Sequence, residues 1–96
     1  MRIYTFAPGD IPKVLDGWSK AMEAREKFSP LAACWTSELG GLNKFVHTWV
    51  YKDLNERVRV REAARTASGP WLPQTEVRPI RQENKLLMPA AFSPVR

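Results

Sequence analysis

One histidine is the residue of this sequence best suited to acid–base chemistry near neutral pH. His47 is the only histidine among 96 residues, and its ordinary pKa of about 6.5 needs almost no shift, unlike that of Asp, Glu or Lys. It alternates along an apolar segment with Phe45, Trp49 and Tyr51. We therefore take His47 as a candidate general base, with Asn43 and Tyr51 holding the oxygens of a phenol-like ligand. The alternative, which the pattern slightly favours, is a half-buried histidine hydrogen-bonded to a neighbouring strand or across a subunit contact.

Aromatic side chains around this histidine can form the walls of a ligand pocket. Flat apolar ligands commonly stack on aromatic walls, and the candidates for ligand contact are Tyr4, Trp35, Phe45 and Trp49. The alternative is that these side chains fill the core of a dimer. We favour it because aromatic side chains dominate the packing of interfaces. Asn43 also has a structural alternative, because an asparagine at the start of a strand often caps a turn.

Two arginines four residues apart form the second candidate site. Arg57 and Arg61 fall on one face of a predicted helix, where they can bind an anionic ligand or phosphate. The alternative, which we favour, is surface pairing with nearby glutamates. Cys34 lies within a predicted strand and is expected to be a small buried hydrophobe.

Metal and cofactor sites are not expected. The chain has one histidine and one cysteine, and no cluster of acidic residues accompanies His47, so a metal site is improbable. The sequence contains no phosphate loop, dinucleotide fingerprint, nucleophile elbow or zinc motif. We therefore predict no metal and no cofactor.

Charge and composition restrict the classes of partner. The net charge of +5 comes from basic residues scattered from Arg2 to Arg96, whereas nucleic-acid binding needs a concentrated basic stripe. No segment approaches the roughly 18 apolar residues of a membrane span, and the opening residues lack the apolar core of a signal peptide. We expect no nucleic-acid partner, no membrane insertion and a reducing, cytoplasmic location.

The first half of the chain predicts a strand, a helix and a second strand. Residues 2–7 read as a strand that Pro8-Gly9 ends. Asp10 stands at the N-cap position of a helix that ends near Phe28, before Ser29-Pro30. The second strand covers residues 31–37. The core-facing stripe of the helix is predicted to be Ile11, Val14, Leu15, Trp18 and Met22.

The second half predicts two further strands and a second helix. Residues 43–51 read as the third strand, after a loop with paired glycines. Asp53 and Glu56 form a predicted capping box for a helix to about residue 68, with a modest apolar face of Leu54, Val58 and alanines. A fourth strand lies within residues 76–87, partly at an edge because of Pro79, and Trp71 is expected to plug the loop before it. The order βαββαβ predicts an α+β, ferredoxin-like single domain with a four-stranded antiparallel sheet.

Strand alternation then separates two faces of the third strand. The bulky set, which contains His47, points one way, and the β-branched set points the other. We assign the β-branched face to the helices, which leaves the aromatic face to water. Exposing a row of large aromatic side chains to water is unfavourable in free energy. A chain this short also buries only a small hydrophobic core. We therefore predict a second copy whose sheet covers the aromatic row and encloses a cavity.

The segment of residues 35–61, WTSELGGLNKFVHTWVYKDLNERVRVR, resembles the core signature of the NIPSNAP family. Its matching positions are Trp35, Glu38, Gly40 or Gly41, Asn43, His47, Trp49, Tyr51, Arg57 and Arg61. The ends RIYTFAPG and LLMPAAFSP also resemble those of the family, so the resemblance covers a single domain of residues 1–96. It implies a ferredoxin-like protomer in a dimeric α/β barrel and implies much less about activity.

Three functions stay open at this point. The first is a homodimer whose barrel cavity binds a small apolar or aromatic ligand without turnover. The second is an enzyme resembling the cofactor-independent monooxygenases of the wider barrel superfamily, with His47 as base. The third is an interaction protein whose barrel is filled.

Overall fold

A four-stranded sheet and two helices make up the fold in the computed structural model, which describes residues 1–66 and 77–94. The elements follow in the order β1 (Arg2–Thr5), α1 (Ile11–Glu26), β2 (Leu31–Thr36), β3 (Lys44–Trp49), α2 (Leu54–Thr66) and β4 (Arg81–Asn84). The predicted βαββαβ order is confirmed. The strands are shorter than predicted at their ends, and the predicted loop role of Trp71 falls outside the described residues.

The sheet has the order β2-β3-β1-β4, with every neighbouring pair antiparallel. This arrangement is the ferredoxin-like α+β fold that the sequence predicts. β4 lies at an edge, as expected from Pro79, and a register shift interrupts β2 between Leu31 and Ala33. Next to the pairing of β1 with β4, Met1 and Lys85 exchange backbone hydrogen bonds.

The predicted capping residues precede both helices, but only the one before α2 makes a side-chain capping bond. Asp53 Oδ1 accepts a hydrogen bond of 2.7 Å from the backbone N–H of Glu56, and the Glu56 carboxylate accepts one from the N–H of Lys52. The predicted capping box of α2 is therefore confirmed, except that the Glu56 side chain bonds the N–H of Lys52, one residue before Asp53. α1 begins after Asp10, whose side chain makes no capping bond.

The core forms between α1 and one face of the sheet. Its buried residues are Phe6, Val14, Trp18 and Phe45, and the Trp18 ring lies 5.2 Å from that of Phe45, centroid to centroid. Most of the predicted α1 stripe is confirmed. Leu15 was wrongly included, because its side chain is exposed.

The predicted assignment of the two sheet faces is wrong. Trp18 of α1 packs against Phe45 and His47, so the aromatic row of β3 meets the helices rather than water. Large aromatic rings gain more from burial than the β-branched set does. The opposite face, called here the open face, therefore carries the β-branched set; it consists of Ile3, Thr5, Ala33, Trp35, Lys44, Val46 and Thr48, with Arg81 and Glu83 at its β4 edge.

The inward face of α2 also differs from the prediction. Leu54 and Val58 are exposed by 59% and 58%. Ala64 is the buried residue of this helix, and the residues one and two turns before it, Arg61 and Arg57, are half-buried. Two arginines, with the half-buried Val60, thus occupy the inward stripe that Leu54 and Val58 were expected to fill.

No helix in the described ranges is long and apolar enough to cross a membrane.

Candidate functional site

His47 is held in one tautomer within a cage of rings. Its side chain is 1% exposed, and the rings of Trp18, Tyr4 and Phe45 lie 4.6 to 5.2 Å from it, centroid to centroid. The indole N–H of Trp49 donates a hydrogen bond of 2.7 Å to Nδ1 of His47. Because an indole nitrogen only donates, Nδ1 is the acceptor, and the proton of the neutral ring sits on Nε2.

This environment keeps His47 uncharged. Burial, followed by the positive charges of Arg2, Arg25 and the amino terminus, lowers its pKa from 6.5 to about 3. Burial disfavours the charged imidazolium, and the cations act in the same direction. At neutral pH the ring is a weak base whose lone pair already accepts a bond, and its remaining group, Nε2–H, is a donor. Nε2 is buried without a hydrogen-bond partner among the described residues.

A buried arginine links α1 to the end of β3. Arg25 is 4% exposed, donates 2.7 Å to the hydroxyl of Ser29 and lies within 3.5 Å of the Tyr51 hydroxyl. Its guanidinium stacks over the Trp49 ring at 4.0 Å from the centroid, a contact that stabilises a cation beside an aromatic face. Burial raises the pKa of the Tyr51 phenol, but hydrogen bonds from Ser29 and Arg25 and the charges of Arg25 and Arg61 bring it below its ordinary value.

β1 adds a second cation and a second phenol on the same face. Arg2 is the register partner of His47, lies 5.2 Å over the Tyr4 ring and donates 2.8 Å to the amide oxygen of Asn84. Burial raises the pKa of Tyr4, against the charges of Arg2, Arg61 and Arg25. The charges of four cationic groups, from different parts of the chain, therefore lower the pKa values of His47 and of the two tyrosines.

Not all predicted site residues converge. Asn43 lies in the left-handed region, with φ of 61°, where asparagine is favoured, and its carbonyl accepts from Phe6. Asn43 precedes β3 and Tyr51 follows it, so the six residues of the strand separate the two, roughly 20 Å at about 3.3 Å per residue. Trp35 projects from the open face and is 52% exposed. Phe45, Trp49, Tyr51 and Tyr4 lie with His47 on the helix side. Arg57 and Arg61 lie on the half-buried stripe of α2, and Asn43 and Trp35 lie elsewhere.

Comparison with known proteins identifies the family. The sequence profile of NIPSNAP matches residues 1–94. The chain belongs to the NIPSNAP family. Among curated relatives, it is 33% identical to the NipSnap protein of Drosophila melanogaster over 97 residues, with 98% of this chain and 35% of that protein covered. A zebrafish homologue, NipSnap homolog 1, is 26% identical over 98 residues, or 100% of this chain and 35% of that protein. The chain thus spans about a third of these relatives.

Solved structures of NIPSNAP proteins share the fold. A NIPSNAP domain protein from Burkholderia xenovorans is similar at 32% identity and a TM-score of 0.77, covering 97% of this chain and 94% of its own. A NIPSNAP family protein of unknown function from Agrobacterium tumefaciens gives a TM-score of 0.84 at 27% identity, covering 99% and 89%. The family is therefore established on sequence and fold together.

The remaining reactive residue of this NIPSNAP domain lies beside the histidine. Cys34 and His47 are register partners between β2 and β3, so their side chains share the helix side. Burial raises the pKa of the Cys34 thiol, and the charge of Glu26 adds to the effect, so the reactive thiolate is disfavoured. Among the described residues, no group of three His, Cys, Asp or Glu side chains is placed to hold a metal ion.

Sequence reasoning missed three polar members of this NIPSNAP site. Arg2, Arg25 and Ser29 were not candidates, because charged and polar side chains normally face water. The available signal was spacing. Arg25 follows Trp18 by seven residues, so it continues the core-facing stripe of α1.

Proposed function

We propose that this NIPSNAP domain forms a homodimer through its open face and holds a small apolar or aromatic ligand between the two sheets. The observation that supports the proposal is the apolar surface that one copy leaves uncovered. Trp35 is half-exposed on the open face, and Leu86, Leu87, Met88 and Phe92 after β4 are exposed by 56–93%. A small chain rarely leaves so much apolar surface in water.

The thin core of one copy supports the same proposal. Five hydrophobic side chains are buried among the described residues, whereas eleven large ones are exposed. Full burial of one large side chain stabilises by about 1.5–3 kcal/mol, so a second copy has ample surface to gain. Two open faces packed together bring both Trp35 rings, and Val46 beside each in register, to the walls of one space, where a flat apolar ligand can stack.

The helix side is not the ligand cavity that the sequence suggested. Its aromatic rings pack against α1 within one chain, so the dimer now depends on the opposite face. No observation in this geometry favours turnover with His47 as base, since the ring is buried and its Nδ1 is occupied. We retain a reducing compartment such as the cytoplasm as part of the proposal.

The test compares two charge insertions on opposite surfaces. Trp35→Glu places a charge on the open face, and Leu54→Glu places one on the exposed side of α2, where the side chain is equally accessible. Sedimentation equilibrium at micromolar concentration should give twice the chain mass for the parent protein and for Leu54→Glu, and one chain mass for Trp35→Glu. Unchanged far-ultraviolet circular dichroism shows that each variant folds.

Native mass spectrometry of gently purified dimer then tests the ligand. A retained small molecule that Trp35→Glu loses supports the pocket. A dimer of bare chain mass, with no binding of aromatic probes, supports the filled-barrel alternative instead. A parent protein that sediments as a stable monomer refutes the dimer.

A further inference from the structure

The open face carries a row of apolar side chains next to a polar row. In the apolar row, Trp35 of β2, Val46 of β3 and Ile3 of β1 are register partners. In the polar row, Lys44 of β3 is the register partner of Thr5 of β1. Because residues two apart on a strand share a face and lie roughly 7 Å apart, the two rows are adjacent. A single small molecule on this face can therefore contact both rows.

Lys44 is positioned by three neighbouring residues. Its backbone N–H donates a hydrogen bond of 3.2 Å to the Ser37 hydroxyl, and its carbonyl accepts one of 3.1 Å from the Ser37 N–H. The side chain passes close to Gly41, where an added Cβ would lie 2.6 Å from Lys44 Cε. The ammonium donates a hydrogen bond of 3.3 Å to the Thr5 hydroxyl. The half-buried side chain of Lys44 is thus held against the sheet rather than extended into water.

The charge of Lys44 is not neutralised within one copy. Its hydrogen-bond acceptor, the Thr5 hydroxyl, carries no charge, and no acidic side chain of the described ranges forms an ion pair with the ammonium. The acid at the β4 edge of the open face, Glu83, already pairs with Arg81 at 3.2 Å. The strand residues of the open face therefore carry one positive charge in excess.

Dimerisation through the open face makes this excess charge unfavourable. Packing of two sheets removes water from Lys44 in both copies, and an ion that loses water without an opposite charge beside it is strongly disfavoured. An anionic group between the sheets restores the balance through charge-assisted bonds, which are stronger than neutral ones. The adjacent Trp35 and Val46 favour a flat apolar body on the same molecule, because aromatic rings pack favourably against one another.

We propose that the ligand between the two sheets is an aromatic carboxylate, whose ring packs on Trp35 and Val46 while its carboxylate accepts from Lys44 and Thr5. This assignment rests on the proposed function and adds the chemical class of its ligand. An ammonium has three donors and a hydroxyl has one, so Lys44 can keep its bond to Thr5 while both groups donate to the carboxylate. One ammonium per copy matches a singly charged group.

The test uses two probes that differ in charge and share one body. Naphthoate and naphthamide have the same pair of fused rings, and acetate supplies a carboxylate without them. Isothermal titration calorimetry at neutral pH and matched ionic strength measures the affinity of the dimer for each probe. Sedimentation equilibrium with and without probe reports the oligomeric state.

Two lysines on opposite sides of the sheet provide the matched variants. Lys44→Gln removes the charge of the open face, whereas Lys13→Gln removes that of an exposed lysine on α1, with the same change in net charge. Lys44→Arg keeps a positive charge at the position. Far-ultraviolet circular dichroism confirms that each variant is folded.

The expected results separate a bound carboxylate from general charge attraction. The parent protein and Lys13→Gln should bind naphthoate about tenfold or more tightly than naphthamide, the value of one charge-assisted bond, and should bind acetate more weakly than either. Lys44→Gln should bind the two aromatic probes alike, and Lys44→Arg should keep most of the preference. Without any probe, the Lys44→Gln dimer should be at least as stable as that of the parent, because an uncompensated charge is gone.

Three results overturn the carboxylate and leave the proposed dimer cavity standing. The first is a dimer that binds naphthamide as tightly as naphthoate. The second is an equal loss of preference in Lys44→Gln and Lys13→Gln, which indicates diffuse charge. The third is a folded Lys44→Gln protein that dissociates without any probe, which indicates that Lys44 pairs with an acid of the second copy. A parent protein that is a monomer, or that binds neither aromatic probe, refutes the ligand cavity and the carboxylate together.

Discussion

Acidification should destabilise this protein through His47 at pH values where most carboxylates are still ionised. The folded ring has a pKa of about 3 against an ordinary 6.5. Between these values the unfolded chain binds a proton that the folded chain excludes, so stability is fully present above pH 6.5 and falls as the pH falls towards 3. The slope approaches about 1.4 kcal/mol per pH unit.

The size of the effect can be stated for an accessible window. Between pH 7.5 and 5.0 the free energy of unfolding should fall by about 2 kcal/mol. This value depends only on the pKa of His47 in the unfolded chain, provided that its pKa in the folded protein stays well below 5. Urea unfolding, followed by the fluorescence of the four tryptophans at fixed protein concentration, measures this loss directly.

His47→Asn is the matched control, because its side-chain oxygen takes the place of Nδ1 and can still accept from Trp49. The free energy of unfolding of this variant can differ from that of the parent protein, but it should hardly change between pH 7.5 and 5.0. A parent protein whose stability does not change between pH 7.5 and 5.0, or a variant with the same slope, would refute the argument that His47 is buried in the neutral form.

Two further outcomes follow from the packing and the turns. Trp49→Ala should lower the free energy of unfolding by about 3 kcal/mol, which is the lower end of the range for a large aromatic, because Trp49 is half-buried. Sedimentation of the folded variant should still give the oligomeric state of the parent protein. A variant that is folded but dissociated would contradict the assignment of Trp49 to the helix side. Gly40→Ala should cost about 1 kcal/mol in urea unfolding, because its φ of 83° strains any residue with a Cβ although the space is open; an unchanged midpoint would show that the turn relaxes.

Much of the fold could be predicted because its signals are local. Breakers such as Pro8-Gly9, and the capping pair of Asp53 and Glu56, act within a few residues, so the order of elements follows from the sequence. Which face of β3 meets the helices is a tertiary question. Alternation groups His47 with Phe45 but does not say what covers them, and the answer depends on Trp18, far along the chain.

The candidate site was predictable in part for the same reason. Phe45, Trp49 and Tyr51 share a face with His47 by alternation alone, and this grouping holds in the structure. The arginines were harder to place, because Arg57 and Arg61 look like surface residues until the apolar Leu54 and Val58 are found on the outer side of α2. Composition cannot show which of two helical stripes turns inward.

The pairing of β1 with β4 bears on how the chain reaches its folded state. β1 is an inner strand of the sheet, yet one of its two neighbours lies about eighty residues further along, with Tyr4 opposite Gln82. Contacts so distant in sequence form late, because a long loop must close before they can stabilise the chain. Until β4 arrives, one edge of β1 presents unpaired backbone groups, so a slow folding phase with a risk of association is expected at high concentration.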